Sequence, residues 1–324
     1  MLKFLMSFLV VAIHTGLSEM SVMRYFCSLA VPLFFMITGY LLFQRINLSM
    51  DNDKQIKRVA DEVINPYVSK IAKLYLFWTI LYLPITIYGF IIGEETFLRS
   101  IIIFFRNITL VGENYLSWSL WYLLALIVSL LMIKWLLKQK VKLEVMIIIG
   151  IALTYAGVLI ADLLQSEPEG ILKLIKEVYS VSFWTPRNGI FVGYAFVVMG
   201  MLLAKYETRL YNIPFLCLTV FVVSIIAYLN DVFFALHLVF FFLLYYTLQL
   251  KLPNACFCLL LRKASGLIYF SHMYFVAILM IFYPWITSPI VKFIVISLLV
   301  TIFSVFVLFL IETNRVPALK KLIS

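Results

Sequence analysis

The sequence predicts an all-α fold, a polytopic membrane bundle of about ten transmembrane helices. Apolar residues make up 64% of the 324-residue chain and charged residues 13%, so there is too little polar surface to cover a water-soluble globule. The apolar runs are continuous and do not alternate in polarity at every second residue, which favours helices over an outer-membrane barrel. No soluble segment interrupts the pattern, and we expect a single transmembrane domain over residues 1–324.

Each predicted helix is an apolar run of about 20 residues, the length that crosses a bilayer. In chain order the runs cover residues 1–17, 26–43, 71–92, 116–137, 145–164, 189–204, 213–229, 232–250, 266–285 and 289–311. Residues 44–70 predict a loop with amphipathic helix character, and residues 93–115 predict an interfacial helix or a re-entrant segment. Residues 165–188 are the best candidate for a cap on the outer side.

The basic residues predict the orientation of these helices. The net charge is +10, which in a soluble protein would suggest a nucleic-acid partner. With the N-terminus in the cytoplasm, most of the 26 Lys and Arg residues fall in inward segments, as the positive-inside rule requires. The outward segments then hold Arg24, Arg99, Arg106, Lys173, Lys176, Arg187 and Lys292. We therefore expect both termini in the cytoplasm, the lipid bilayer as partner and no nucleic acid.

Histidines and cysteines predict no metal site. The three histidines lie far apart in sequence, and the four cysteines lack paired metal-ligand spacing, so structural thiols are expected at Cys27, Cys217, Cys256 and Cys258. His14 and His272 nevertheless lie in apolar segments, where ionisable side chains are costly and mark candidate functional sites. His237 is expected to be a packing residue.

Lys3 and His14 share one face of the first helix. Their spacing of eleven residues returns to within about 20° on the helix while advancing about 16 Å along its axis. A cation at the cytoplasmic mouth and a histidine deeper inside suit a long donor whose phosphates stay outside the bundle, a shape that acyl-coenzyme A has. His14 is then a candidate general base on an acceptor hydroxyl. Packing through a hydrogen bond to a neighbouring helix is an equally weighted alternative.

Several motifs together resemble the acyltransferase-3 family of bacterial membrane acyltransferases. The family has an Arg before the first-helix His, where this chain has Lys3 before His14, and a second-helix signature that matches residues 30–41, with Thr38 for the usual Ser. Other matching positions are Arg24, Trp121-Tyr122, the run from Arg187 to Phe191, Ser265, Tyr269 and His272. Within the family, the chain is similar to the membrane half of vancomycin-resistance serine racemases.

The resemblance implies a function and a set of site residues. It implies an O-acyltransferase of the bacterial inner membrane that moves an acyl group, acetyl in our expectation, from cytoplasmic acyl-coenzyme A to a hydroxyl of an envelope glycan or related acceptor. The implied residues are His14 as base, Lys3, His272 and Tyr269 on the donor side, and Arg24, Arg187, Asn188 and Trp121 for the acceptor. For Arg24 and Arg187, the alternative role is to anchor their helix ends at the membrane interface.

Two other functions are compatible with the sequence. The racemase likeness suggests a permease for serine or a similar amino acid, and a structural membrane subunit without activity is a third possibility. His272 is expected about 9 Å into its helix and His14 about 20 Å from the same side, so the two histidines are not predicted to form a catalytic pair. The acceptor, the acyl chain length and the oligomeric state are not predicted.

Overall fold

A computed structural model describes residues 1–47, 60–230, 232, 235–250 and 255–313. Within these ranges the chain is helical apart from short connections and contains no strand, which confirms the all-α prediction. The α-helices are α1 (Leu2–His14), α2 (Ser21–Ser28), α3 (Ala30–Asn47), α4 (Asn65–Ile92), α5 (Phe97–Arg106), α6 (Trp121–Lys138), α7 (Leu143–Gln165), α8 (Gly170–Ser182), α9 (Tyr194–Tyr211), α10 (Pro214–Leu229), α11 (Ala235–Gln249), α12 (Ala255–Phe282) and α13 (Pro289–Glu312).

Each of the ten predicted apolar runs coincides with a helix or a continuous run of helices. Seven of these, in the described ranges, are long and apolar enough to cross a bilayer, namely Ser21–Gln44, Asp61–Ile92, Trp118–Lys138, Leu143–Gln165, Gly189–Tyr211, Phe257–Phe282 and Pro289–Glu312. The other three, Leu2–His14, Pro214–Leu229 and Ala235–Gln249, are apolar but shorter. The chain is therefore a multi-pass membrane protein.

Some predictions concern residues outside the described ranges. Residues 48–59 of the loop predicted at 44–70 and residues 314–324 at the C-terminal end are among them, as is the side chain of Cys256. The orientation of the termini stays a prediction. The segments predicted as an interfacial helix and as an outer cap contain α5 and α8, and neither helix buries a residue.

The first helix ends just before a residue in the left-handed backbone conformation. Gly16, two residues after the last residue of α1, has a φ of 81°, a conformation that favours glycine. His14 is therefore the last residue of α1, at the point where the chain turns toward α2. At the other end of the chain, α12 begins at Ala255 and not near residue 266, which moves His272 much deeper along its helix than predicted.

The chain divides into two compact units. The first comprises Met1–Val31, Ala72–Leu123 and Leu252–Ser324, and the second comprises Pro32–Ile71 and Leu124–Lys251. In the first unit, α1 packs along α12, and α12 packs against α13. Phe4 of α1 packs on a cluster formed by Ala264, Leu267 and Leu308.

Glycines determine how closely helices pack in the second unit. A Cβ atom on Gly39 would lie 1.9 Å from the carbonyl oxygen of Val197, and one on Gly200 would lie 1.9 Å from that of Met36. Helices α3 and α9 therefore approach backbone to backbone, as small residues allow in membrane helices. Tyr40 donates a hydrogen bond of 2.7 Å to Glu207 beside this contact.

Candidate functional site

The first unit brings His14 and His272 together. Their ring centroids are 5.2 Å apart and the rings are tilted by 32°. The prediction that the two histidines lie at different depths was wrong, because it placed the start of the His272 helix too late in the sequence. The longer α12 brings His272 level with the C-terminal end of α1.

Hydrogen bonding fixes the orientation of the His272 ring. Its Nδ1 lies 2.7 Å from the carbonyl oxygen of Tyr269 and 3.2 Å from that of Ile268. Because a carbonyl oxygen only accepts, Nδ1 carries the proton of the neutral ring and donates it. Nε2 then presents a lone pair, and in the described part of the chain it has no hydrogen-bond partner.

Tyr269 connects the histidine pair to the segment before α6. Its hydroxyl donates a 3.1 Å hydrogen bond to the carbonyl oxygen of Ser119, while its own carbonyl accepts from His272. Ser119 lies in a single 3-10 turn, Trp118–Leu120, and the ring of Trp118 lies 5.8 Å from the ring of His14. The His14 ring is thus contacted from α12 and from this turn.

A buried polar network holds the chain leading to that turn. Arg106 donates to the side-chain oxygen of Asn107, which in turn donates to Asn114 at 3.0 Å. The backbone N–H of Asn114 donates to the hydroxyl of Ser117 at 2.8 Å. With three of these side chains buried, the network fixes the approach to Trp118 without a regular helix.

Two cations lie on the same helix pair, near the first residue of α1. Phe4, next to Lys3, packs on Ala264, two residues after Arg262, and the charges of Lys3 and Arg262 are close enough to repel. Helices α1 and α12 are therefore parallel. Each runs from a cation to a histidine, over about 16 Å in α1 and about 15 Å in α12.

The other predicted residues of the first unit occupy different positions. Trp121 is buried at the start of α6, directly after the turn that holds Ser119. Arg24 is exposed on α2, the helix that follows the turn after His14. Lys3 is half-buried near the first residue of α1. Their predicted roles in binding remain predictions.

Arg187 and Asn188 belong to the second unit. Arg187 is exposed and borders a cavity of about 250 Å³, together with Thr154, Gly157 and Phe191. The side-chain oxygen of Asn188 accepts from the backbone N–H groups of Ile190 and Phe191, at 2.9 and 3.1 Å, and so caps the π-helical turn that leads into α9. This gives Asn188 a structural role.

A tyrosine packs close to this segment. Tyr179 on α8 donates a 3.3 Å hydrogen bond to the carbonyl oxygen of Thr185, and burial raises the pKa of its phenol. Its hydroxyl therefore stays protonated and donates at neutral pH.

Sequence reasoning missed Ser119, Trp118 and Arg262 as members of the site. For Arg262 a signal existed, because it precedes His272 by ten residues, nearly the spacing between Lys3 and His14. Ser119 and Trp118 lie in a turn whose fold depends on distant hydrogen bonds. In the described ranges no group of three or more His, Cys, Asp or Glu side chains is arranged to hold a metal ion.

Comparison of the sequence with known proteins identifies a family for this chain. A family model described as an acyltransferase domain, of the acyltransferase-3 type, matches residues 1–312. An amino-acid racemase of Enterococcus faecalis is 28% identical over 221 residues, which cover 62% of this chain and 28% of the racemase. A serine/alanine racemase of Enterococcus gallinarum is 29% identical over 188 residues, 56% of this chain and 24% of the racemase.

The chain thus spans less than a third of the length of these racemases. No solved structure matches it. The family model covers both units and all the residues of the histidine pair, its hydrogen-bond partners and the two cations. The chain belongs to the acyltransferase-3 family.

Proposed function

We propose that the chain is an inner-membrane O-acyltransferase that transfers an acyl group, acetyl in the simplest case, from acyl-coenzyme A to an alcohol hydroxyl of an envelope glycan or related acceptor. One observation carries the proposal: on each of two parallel helices a cation precedes a histidine by ten or eleven residues, and the two histidines lie side by side. A donor with phosphates at one end and a thioester at the other matches this separation of charge and base.

His14 acts as the general base in this proposal. It takes the proton of the acceptor hydroxyl as the oxygen attacks the thioester carbon, so that a C–O bond forms and the C–S bond breaks. The proton then passes to the departing thiolate, which leaves as the free thiol of coenzyme A. His272 and Tyr269 lie at this reacting end, where thioester and acceptor meet.

Lys3 and Arg262 bind the phosphates of the donor in this proposal. Arg262 is exposed, and its planar guanidinium matches a phosphate with two parallel hydrogen bonds, which the ammonium group of Lys3 cannot do. On the acceptor side, Arg24 and Trp121 remain our candidates for binding the glycan in the first unit. Arg187 and Asn188 remain candidates in the second unit, considered by itself.

A CoA-release assay on the purified protein in liposomes tests the proposal. Free thiol is measured from acetyl-coenzyme A with and without N-acetylglucosamine as a soluble hydroxyl acceptor. We expect acceptor-dependent release that His14→Ala abolishes. His237→Phe is the matched control, since His237 stacks on Phe196 at 5.1 Å in the second unit and the new ring can keep that packing. Equal rates in the wild type and His14→Ala would refute the role of His14.

The likeness to racemases suggests a second candidate function, a permease for serine. One relative is a serine/alanine racemase, and in a multi-pass membrane protein the handling of serine would take the form of transport. Uptake of radiolabelled L-serine into the same liposomes, without coenzyme A, tests this function. Uptake that persists in His14→Ala, together with no release of thiol in any sample, would favour the permease.

A further inference from the structure

Two buried polar atoms, one in the histidine pair and one in the turn beside it, have no hydrogen-bond partner among the residues that the structure describes. They are Nε2 of His272, a residue with 0% exposure, and the hydroxyl oxygen of Ser119, a residue with 1% exposure. Buried polar groups are nearly always paired, and those that are not need an explanation. A ligand that pairs with both is one explanation, and the surroundings favour it.

Both atoms belong to the segments that contact His14. The ring of His272 is 5.2 Å from the ring of His14, and Trp118, the neighbour of Ser119, contacts the same ring at 5.8 Å. Tyr269 ties the two segments together through its hydroxyl on one side and its carbonyl on the other. The backbone of Ser119 is therefore fixed while its hydroxyl remains available.

The chemistry of the two atoms selects the ligand group. Nε2 of the neutral His272 ring only accepts, because its proton is held on Nδ1, whereas a serine hydroxyl both donates and accepts. A carbonyl or carboxylate cannot donate to Nε2, so the ligand group must carry a proton, as the hydroxyl of the proposed acceptor does. An alcohol hydroxyl satisfies both at once.

We propose that Ser119 and His272 form a subsite for a second hydroxyl of the acceptor, adjacent to the hydroxyl that reacts at His14. The inference rests on the proposed function and narrows it, because it assigns the acceptor to polyhydroxylated compounds with neighbouring hydroxyls. Ser119 is then a positioning and specificity-determining residue. It takes no part in the proton transfer.

Two alcohols that differ by one hydroxyl provide the test. The kcat/KM for acetyl transfer from acetyl-coenzyme A is measured with trans-1,2-cyclohexanediol and with cyclohexanol. We expect the wild type to favour the diol roughly tenfold, the effect of one buried hydrogen bond, and Ser119→Ala to bring the ratio close to one. The KM for acetyl-coenzyme A should not change.

Ser304→Ala is the matched control for folding. Ser304 lies in α13 of the same unit, is 0% exposed, and its hydroxyl also lacks a partner in the described part of the chain. Removing an unpaired buried hydroxyl should leave the melting temperature of either variant unchanged or raised. Only Ser119→Ala should lose the preference for the diol. An unchanged ratio in folded Ser119→Ala would overturn the inference.

A binding arm separates failure of this inference from failure of the proposed function. Without donor, the diol should raise the melting temperature of the wild type and of Ser304→Ala, but not that of Ser119→Ala. If this binding pattern appears without any acetyl transfer, the proposed acyltransferase function is refuted and the subsite is supported. Acetyl transfer to both alcohols at equal kcat/KM would support the acyltransferase function and refute the subsite. A wild type that neither binds nor acetylates the diol would refute both proposals.

Discussion

Replacing Arg262 by Ala should weaken donor binding far more than it slows the chemical step. Arg262 lies ten residues before His272 on one continuous helix, so its charge is about 15 Å from the reacting end. At that distance the Coulomb energy is about 1 kcal/mol at an effective dielectric constant of about 20, and salt reduces it further. The effect on kcat should therefore stay below roughly sixfold.

The effect on donor affinity should be larger. A charge-assisted hydrogen bond to phosphate contributes about 1.5–3 kcal/mol, or roughly 10- to 150-fold in binding. We expect the KM for acetyl-coenzyme A to rise within that range in Arg262→Ala. With S-acetyl-N-acetylcysteamine, a thioester donor without phosphates, the variant and the wild type should behave alike. Steady-state kinetics with the two donors provides the measurement.

Lys263→Ala is the matched control for this prediction. Lys263 is the next residue in sequence and carries the same charge, but its ammonium group is paired with Glu312 at 2.6 Å. Its loss should leave both KM values unchanged, since the pair is solvent-exposed on the glutamate side and contributes little. An equal loss in Arg262→Ala with both donors, or a fall in kcat with unchanged KM, would refute the reasoning about phosphate binding.

Three further variants test the packing and the site. Gly200→Ala should lower the melting temperature, because its Cβ would lie 1.9 Å from the carbonyl oxygen of Met36, and overpacking costs about 1–3 kcal/mol or more. Gly266→Ala, with no atom within 4 Å of its Cβ, should keep or raise it, and equal melting curves would contradict this account. Tyr269→Phe should leave the buried carbonyl of Ser119 without this donor, at a cost of about 1–3 kcal/mol, and should slow acetyl transfer. Unchanged stability and rate would argue against the bridging role of Tyr269.

Hydropathy was sufficient to predict the helices of this chain, because each apolar run is long and bounded by polar residues. It was not sufficient to place their ends. The first turns of α12, from Ala255, include Arg262 and Lys263. These two charges lower the mean hydropathy, so the segment was predicted to be a loop. That error of helix boundary alone separated His272 from His14 in the prediction.

The site was predictable only in part for a related reason. Spacing within one helix brought out Lys3 and His14, since the helical period is regular. The contribution of Ser119 depends on a 3-10 turn held by Tyr269 and by a network that includes Asn107 and Asn114, contacts between residues far apart in sequence. No local pattern encodes such contacts, and they appear only when the helices are packed.

The most direct test of the central claim is acetyl transfer measured on the histidine pair. Purified wild type and His14→Ala are reconstituted in liposomes with radiolabelled acetyl-coenzyme A and a hydroxyl acceptor, and labelled product is followed together with donor binding by calorimetry. The account predicts a rate loss of about 100-fold or more in His14→Ala with unchanged donor affinity, the loss expected for a general base. Product formation at the wild-type rate in His14→Ala, or no labelled product from a folded wild type that binds the donor, would contradict it.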